Sequence, residues 1–217
     1  MTLSRRSLLG AGATGAVALT AGCLDFVRGE GPLEFEANQV VPSASALAET
    51  GYEEDEIEHK EIDEEVDIGV EREIRASLWA GLYTKERELQ GQTQDAGLFA
   101  AVSIPGIEVL GRSFNPLADL SGEELLEELM SQLDGEQDID NISHEDSFGL
   151  EILGEGREVT IFGGEAEYGD EVLEVEIALT SFIHEDDLLV LLGTHPRLLA
   201  GEAANIERLM ESVEHPV

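Results

Sequence analysis

The C-terminal third of the chain alternates. Leu150 and Ile152, Val159 and Ile161, then Leu173, Val175, Ile177 and Leu179 stand at every second position among mainly polar neighbours. A period of two places such residues on one face of a pleated strand, so this part of the chain is committed to a sheet. Gly154-Glu-Gly156, Tyr168-Gly-Asp170 and His184-Glu-Asp-Asp187 are turn sequences between these segments. Short connections join antiparallel neighbours, and the pattern predicts an antiparallel meander. Leu188 to Leu192 adds a continuous apolar run.

Upstream, Leu33, Phe35 and Ala37 alternate with Glu34, Glu36 and Asn38, which predicts a half-buried strand. Pro42 and Ser43 open a short helix through Glu49 that Gly51 ends. From Glu73 the alternation returns: Ile74, Ala76, Leu78, Ala80 and Leu82 point one way, Trp79 and Tyr83 the other. Leu98 to Ile104 is a further strand, stopped by Pro105-Gly106. Ser121-Gly-Glu-Glu124 is a capping box, whose serine and glutamate satisfy amides orphaned at a helix start. Behind it Leu125, Leu126, Leu129, Met130 and Leu133 share a helical face. A last helix carries Ile206, Leu209, Met210 and Val213. Strands in runs with interspersed helices predict an α+β fold, an antiparallel sheet with two or three helices packed on it.

Charge decides the solvent and excludes partners. Asp and Glu number 48 against 12 Lys and Arg, so the net charge is −36 over 217 residues. Ten of the acids fall between Glu53 and Asp67, where only Lys60 opposes them, and this stretch reads as an irregular or edge-strand segment. Two carboxylates about 6 Å apart repel by about 0.7 kcal/mol in water. At 1 M salt, where the Debye length is about 3 Å, the same pair repels by about 0.1 kcal/mol. The composition therefore predicts a body that folds in brine. Nucleic acid is not an expected partner, because phosphate binding needs a basic patch. A hydrophobic content of 42% excludes a wholly disordered chain. The single cysteine excludes an internal disulfide and a Cys-based zinc site.

The N-terminus is a targeting sequence. Arg5 and Arg6 precede a short stretch of small and apolar residues that ends at Thr20-Ala21-Gly22-Cys23, the parts of an export signal. Ser7 to Ala21 is too short for the ~20 apolar residues that cross a bilayer. Gly10-Ala-Gly-Ala-Thr-Gly15 matches the dinucleotide-binding spacing, but no strand precedes it, so its amides have no pyrophosphate to cradle. Ser4-Arg5-Arg6-Ser7-Leu8-Leu9 resembles the twin-arginine consensus, with Leu8 where Phe is commonest. Thr20-Ala-Gly-Cys23 resembles a lipobox, with Thr20 where Leu is usual. The resemblance implies cleavage before Cys23, a lipid on its sulfur, and two partners: the twin-arginine export machinery and the membrane. The mature chain then carries 10 − 48 = −38. Residues 1–22 form the signal, 23–32 the lipidated cysteine and tether, and 33–217 a single domain.

Acidic, lysine-poor composition together with these motifs resembles that of haloarchaeal lipoproteins. Arg112-Ser-Phe-Asn-Pro116-Leu and the closing Leu209–Pro216 segment resemble an uncharacterised family of that group, which brings no activity with it. The meander closed by a terminal helix is similar to PsbP/Mog1-type sandwiches.

No catalytic motif emerges. No serine stands in G-x-S-x-G, no H-E-x-x-H occurs, and no Walker loop is present. His184 with Glu185, Asp186, Asp187 and His195 is the first candidate cluster, yet His195 lies roughly 25 Å along the next strand at ~3.3 Å per residue. Asp134-Gly-Glu136-Gln-Asp138-Ile-Asp140-Asn141 is the richest acidic loop, but its glycine register is wrong for calcium. With 48 carboxylates, acidic pairs for glycoside hydrolysis carry no information. Trp79 and Tyr83 suit sugar stacking or, more simply, core or sheet-surface packing. No cofactor and no metal are expected. The sequence predicts a membrane-anchored binding or envelope accessory module. The alternative is an extracytoplasmic hydrolase, which requires His144, His184 and acidic residues to converge in one pocket.

Overall fold

A computed structural model describes residues 32–67, 71–89, 92–109, 112–113, 117, 120–132, 139–168 and 171–217. The signal with Arg5 and Arg6, the lipidation candidate Cys23, the tether up to residue 31, residues 114–116 of the family segment and most of the acidic loop (134–138) lie outside them.

The elements run β1 (Leu33–Glu36), β2 (Val41–Pro42), α1 (Ala44–Thr50), β3 (Glu53–Asp67), β4 (Glu71–Leu89), β5 (Gln92–Pro105), β6 (Glu108–Val109) and β7 (Arg112–Ser113). They continue with α2 (Gly122–Gln132), β8 (Ile139–Ile152), β9 (Glu155–Tyr168), β10 (Glu171–His184), β11 (Asp187–Pro196), α3 (Glu202–Glu211) and β12 (Val213–Glu214). The expected α+β class is corrected: the fold is mostly β, an eight-stranded sheet with short helices. Strands of 14 to 19 residues outweigh helices of 7 to 11. The acidic 53–67 stretch is one of those strands, paired with β4, and its side chains from Glu53 to Asp63 are exposed or half-buried.

The chain forms two compact units. In the first (residues up to 34, with 62–75), Arg75 donates from Nε to Asp63 at 2.8 Å, and its guanidinium lies 3.8 Å from Glu34 and 3.6 Å from Glu73. These pairs are exposed, so each contributes well under ~1 kcal/mol.

The second unit (residues 35–61 and 76–217) holds the core. The strand order is β1-β4-β5-β11-β10-β9-β8, with β3 paired to β4, and the predicted meander β8 to β11 is antiparallel throughout. Strand β11 lies inside the sheet with both faces covered. Leu189 and Leu191 pack with Phe99, Tyr83 and the α3 residues Ile206, Leu209 and Met210. Leu188, Val190 and Leu192 pack with Phe162, Ile177 and the α2 residues Leu125 and Leu126. Burial on two faces is why Leu188–Leu192 reads as an unbroken apolar run. Each such side chain contributes about 1.5–3 kcal/mol of burial. Helix α3 presses on the sheet at Gly193, where a Cβ would stand 2.3 Å from Ile206 Cγ2, so only a residue without a side chain fits.

The helix ends follow their sequence signals. Ser43 Oγ accepts from Ala46 N at 3.3 Å, and Gly51, at φ 74°, closes α1 by donating to the Leu47 carbonyl. Glu124 accepts from the Ser121 amide at 2.9 Å and hydroxyl at 2.7 Å, and these bonds hold its carboxyl below the usual range. Tyr83 packs in the α1/α3 core, one of the two settings expected of it, and its burial, reinforced by Glu54, pushes the phenol up to about 12. Val213 leaves the helix to pair with Pro42, and Val217 N donates to Gln39 O, so the chain end is laced along β2. At the β10–β11 turn Glu185 (φ 47°) and Asp186 (φ 72°) are both left-handed, the handedness that matches strand twist. Strand β8 changes register between Asp140 and Ser143 and again between His144 and Asp146.

Candidate functional site

Two clusters of buried polar side chains in the second unit lie on the α1/α3 face of the sheet, toward opposite ends of β11. At one end stands Asp187, the first residue of β11. Its Oδ2 accepts from Asn38 N at 2.8 Å and from Asn38 Nδ2 at 3.0 Å, and lies 3.2 Å from His215 Nε2. His215 Nδ1 faces His184 Nδ1 at 2.9 Å. One nitrogen of that pair must donate and the other accept, so a single proton lies between the rings. The His215 side chain is fully buried. The chemistry available is cohesion: one carboxylate ties the chain end to the segment after β1. Asp187→Ala strips three donors of their acceptor and is expected to destabilise by about 3 kcal/mol. Amide exchange of Val213, Glu214, His215 and Val217 should rise well beyond that of Leu189. Unchanged exchange at the tail would refute the tie.

At the other end Lys85, on β4, meets Glu202 in the first turn of α3. Lys85 Nζ lies 2.8 Å from Glu202 Oε1 and 2.9 Å from Oε2, and the two side chains are 3% and 4% exposed, which makes this a buried ion pair. Arg87 (3.1 Å) and Asn205 (3.0 Å) complete the carboxylate's shell. Burial alone would raise the Glu202 carboxyl, but the hydrogen bonds from Lys85, Asn205 and Arg87 hold it below its usual range. Tyr52 lies under the Lys85 ammonium, 5.3 Å from Nζ to ring centroid. Burial, then the Glu202 charge, hold its phenol well above the ordinary value.

Next to this pair a small cavity opens between the sheet and α3. Phe148, Ile161, Ala178 and Ile206 form its apolar wall, and Glu176, His195 and Glu207 its polar one. Its volume is about 80 Å³, room for several waters at ~10–15 Å³ each. His195 Nδ1 lies 3.1 Å from the Pro196 carbonyl, an obligate acceptor, so Nδ1 carries the hydrogen. His195 Nε2 is buried without a hydrogen-bond partner, 3.6 Å from Glu176 Oε1.

The predicted cluster is thus rearranged. His184 does meet a carboxylate, Asp187, but only through His215, which the sequence reading did not select. His195 sits at the far end of β11, eight residues on, opposite Glu176. His144 lies exposed on β8, edge-on to Phe162 at 5.9 Å, on the α2 side of the sheet. Trp79 stacks on His59 at 4.4 Å, and Tyr83 is core. Among the described residues no group of three or more His, Cys, Asp or Glu could hold a metal. Sequence distance hid the rest: 117 residues separate Lys85 from Glu202, and 149 separate Asn38 from Asp187. The one available hint was that Lys85 is one of two lysines in so acidic a chain.

No protein among the curated ones matches this chain. The family described as a domain of unknown function (DUF6517) matches residues 39–214, from just before β2 to the end of β12. That span includes every strand from β2 onward, and the chain belongs to this family.

Proposed function

We propose that this member of the family is an extracytoplasmic lipoprotein, exported through the Arg5-Arg6 signal, fixed to the cell membrane by a lipid on Cys23, and adapted to molar salt. Its folded body serves as a binding or envelope accessory module. The motifs Ser4-Arg5-Arg6-Ser7 and Thr20-Ala21-Gly22-Cys23 support the first part. Two acyl or ether chains on one sulfur bind a bilayer stably without a spanning helix. No helix among the described residues is long and apolar enough to cross.

The observation that carries the second part is the cavity under α3, where an apolar wall meets a few polar groups, the make-up of a small-molecule site. The hydrolase alternative asks for His144, His184 and carboxylates in one cleft, and the two histidines stand on opposite faces of the sheet. Expression of Cys23→Ser in a native-like host tests the anchor. The variant should move from the membrane pellet to the soluble fraction, and the wild-type mass should lack residues 1–22 and include a lipid. A Cys23→Ser protein that still pellets, or a wild-type mass that retains Met1, overturns the reading.

A further inference from the structure

We propose that the cavity beneath α3 is a binding site for a small organic ammonium, held between His195 Nε2 and the Glu176 carboxylate. The inference rests on the binding-module reading and names its ligand class. The Pro196 carbonyl fixes a hydrogen of His195 on Nδ1, and in the neutral ring this leaves Nε2 a lone pair. Glu176 Oε1, also an acceptor, lies 3.6 Å from that nitrogen, beyond hydrogen-bond length. Two acceptors face each other with no donor between them, and the Nε2 atom is buried and unsatisfied. An orphaned acceptor of this kind costs about as much as a lost hydrogen bond. A single nitrogen bearing several hydrogens serves both acceptors at once at about 2.8 Å from each, and to receive it the Nε2 edge of the ring, which no water-sized body touches in this structure, must turn toward the cavity.

The surroundings choose the charge and shape of the occupant. Glu176 and Glu207 make the polar wall negative. The nearby cation Arg197 is already engaged by Glu145, whose hydrogen bond raises the guanidinium's affinity for its proton. The positive end of α3 is occupied by Glu202, itself paired with Lys85. A hydrated metal ion would gain nothing from Phe148, Ile161, Ala178 and Ile206, whereas a short alkyl group buries apolar surface against them. A volume of about 80 Å³ admits a body of a few heavy atoms, about half of the 150 Å³ cavity that takes benzene.

The test is a titration of the full chain in molar KCl, read by the side-chain nitrogen signals of His195. Ethylammonium is the probe, with ethanol and acetate as its neutral and anionic counterparts. Saturable shifts with ethylammonium at millimolar concentration are expected, the affinity that three heavy atoms allow. Glu176→Gln should weaken binding about tenfold or more, through loss of a charge-assisted bond, while leaving the fold's circular dichroism unchanged. The proposal is overturned if ethylammonium gives no saturable shift, or if Glu176→Gln binds it equally well. It also falls if the His195 signals without ligand are those of an imidazolium, since the ring then supplies its own donor to Glu176. Saturation by ethanol or acetate in place of ethylammonium overturns the ammonium class while leaving a binding module standing. Release of the Cys23→Ser chain from membranes is independent of all these outcomes.

Discussion

Glu202→Ala is expected to destabilise the fold by about 3–5 kcal/mol, because it leaves the Lys85 ammonium buried with no counter-charge. Against typical stabilities of ~5–15 kcal/mol that is enough to unfold a marginal protein. The double replacement Lys85→Met with Glu202→Leu should be close to neutral, since removing both ions also removes their desolvation cost. Arg87 is 45% exposed and stays solvated in either variant. Chemical denaturation of the single and double variants decides the matter: a single variant within 1 kcal/mol of wild type, by about the size of an exposed pair, would show that the pair is not isolated from water. The pH dependence follows from the same carboxylate. Its folded value lies below the ordinary 4.5. A depressed carboxylate contributes stability that is fully present above the unfolded value and is lost as pH falls through the folded one. Wild type should therefore weaken below pH 4.5 more steeply than Glu202→Gln.

The second large effect is that of salt. Transfer from molar KCl to dilute buffer is expected to unfold the protein or leave it molten, and return to KCl to restore it. Screening changes the repulsion of a carboxylate pair at 6 Å from about 0.7 to about 0.1 kcal/mol. Summed over dozens of pairs, the difference rivals the whole stability of a domain. Trp79, the sole tryptophan, reports locally through its stack on His59 of β3, the strand that carries ten acids from Glu53 to Asp67. Its emission should shift along with the circular dichroism. Equal melting temperatures at both salt levels would sink the brine reading.

Local signals were legible in the sequence and long-range ones were not. Ser43, Gly51 and Ser121 mark helix ends through bonds to residues within four positions, so their types alone suffice. The meander was readable because β8, β9 and β10 each alternate. The fold class was misjudged because helices announce themselves by capping and periodicity, whereas the lengths of β3 and β4 are masked by charge and by apolar residues on both faces. In β4, Ile74 and Ala76 are buried, and farther along so are Tyr83 and Lys85, one register out of phase. At the site, Asp187 and His184 were flagged by proximity in sequence, but the residue that joins them, His215, arrives from the chain end after α3. The lone pair on His195 depends on a carbonyl and a cross-strand glutamate, and no spacing rule reports either.

The register breaks of β8 bear on what the outer edge of the sheet offers to a second copy. An outermost strand offers unpaired amides and carbonyls to any neighbour that can lie flat against it. In dilute solution Asp140, Glu145 and Asp146 would discourage that approach by charge. Molar salt cancels charge beyond about 3 Å, so in brine this defence is lost. Irregularity in the backbone is indifferent to ionic strength. The two breaks, with Asn141 held at φ 55° inside the first, bend the strand out of the straight line that a second copy would need.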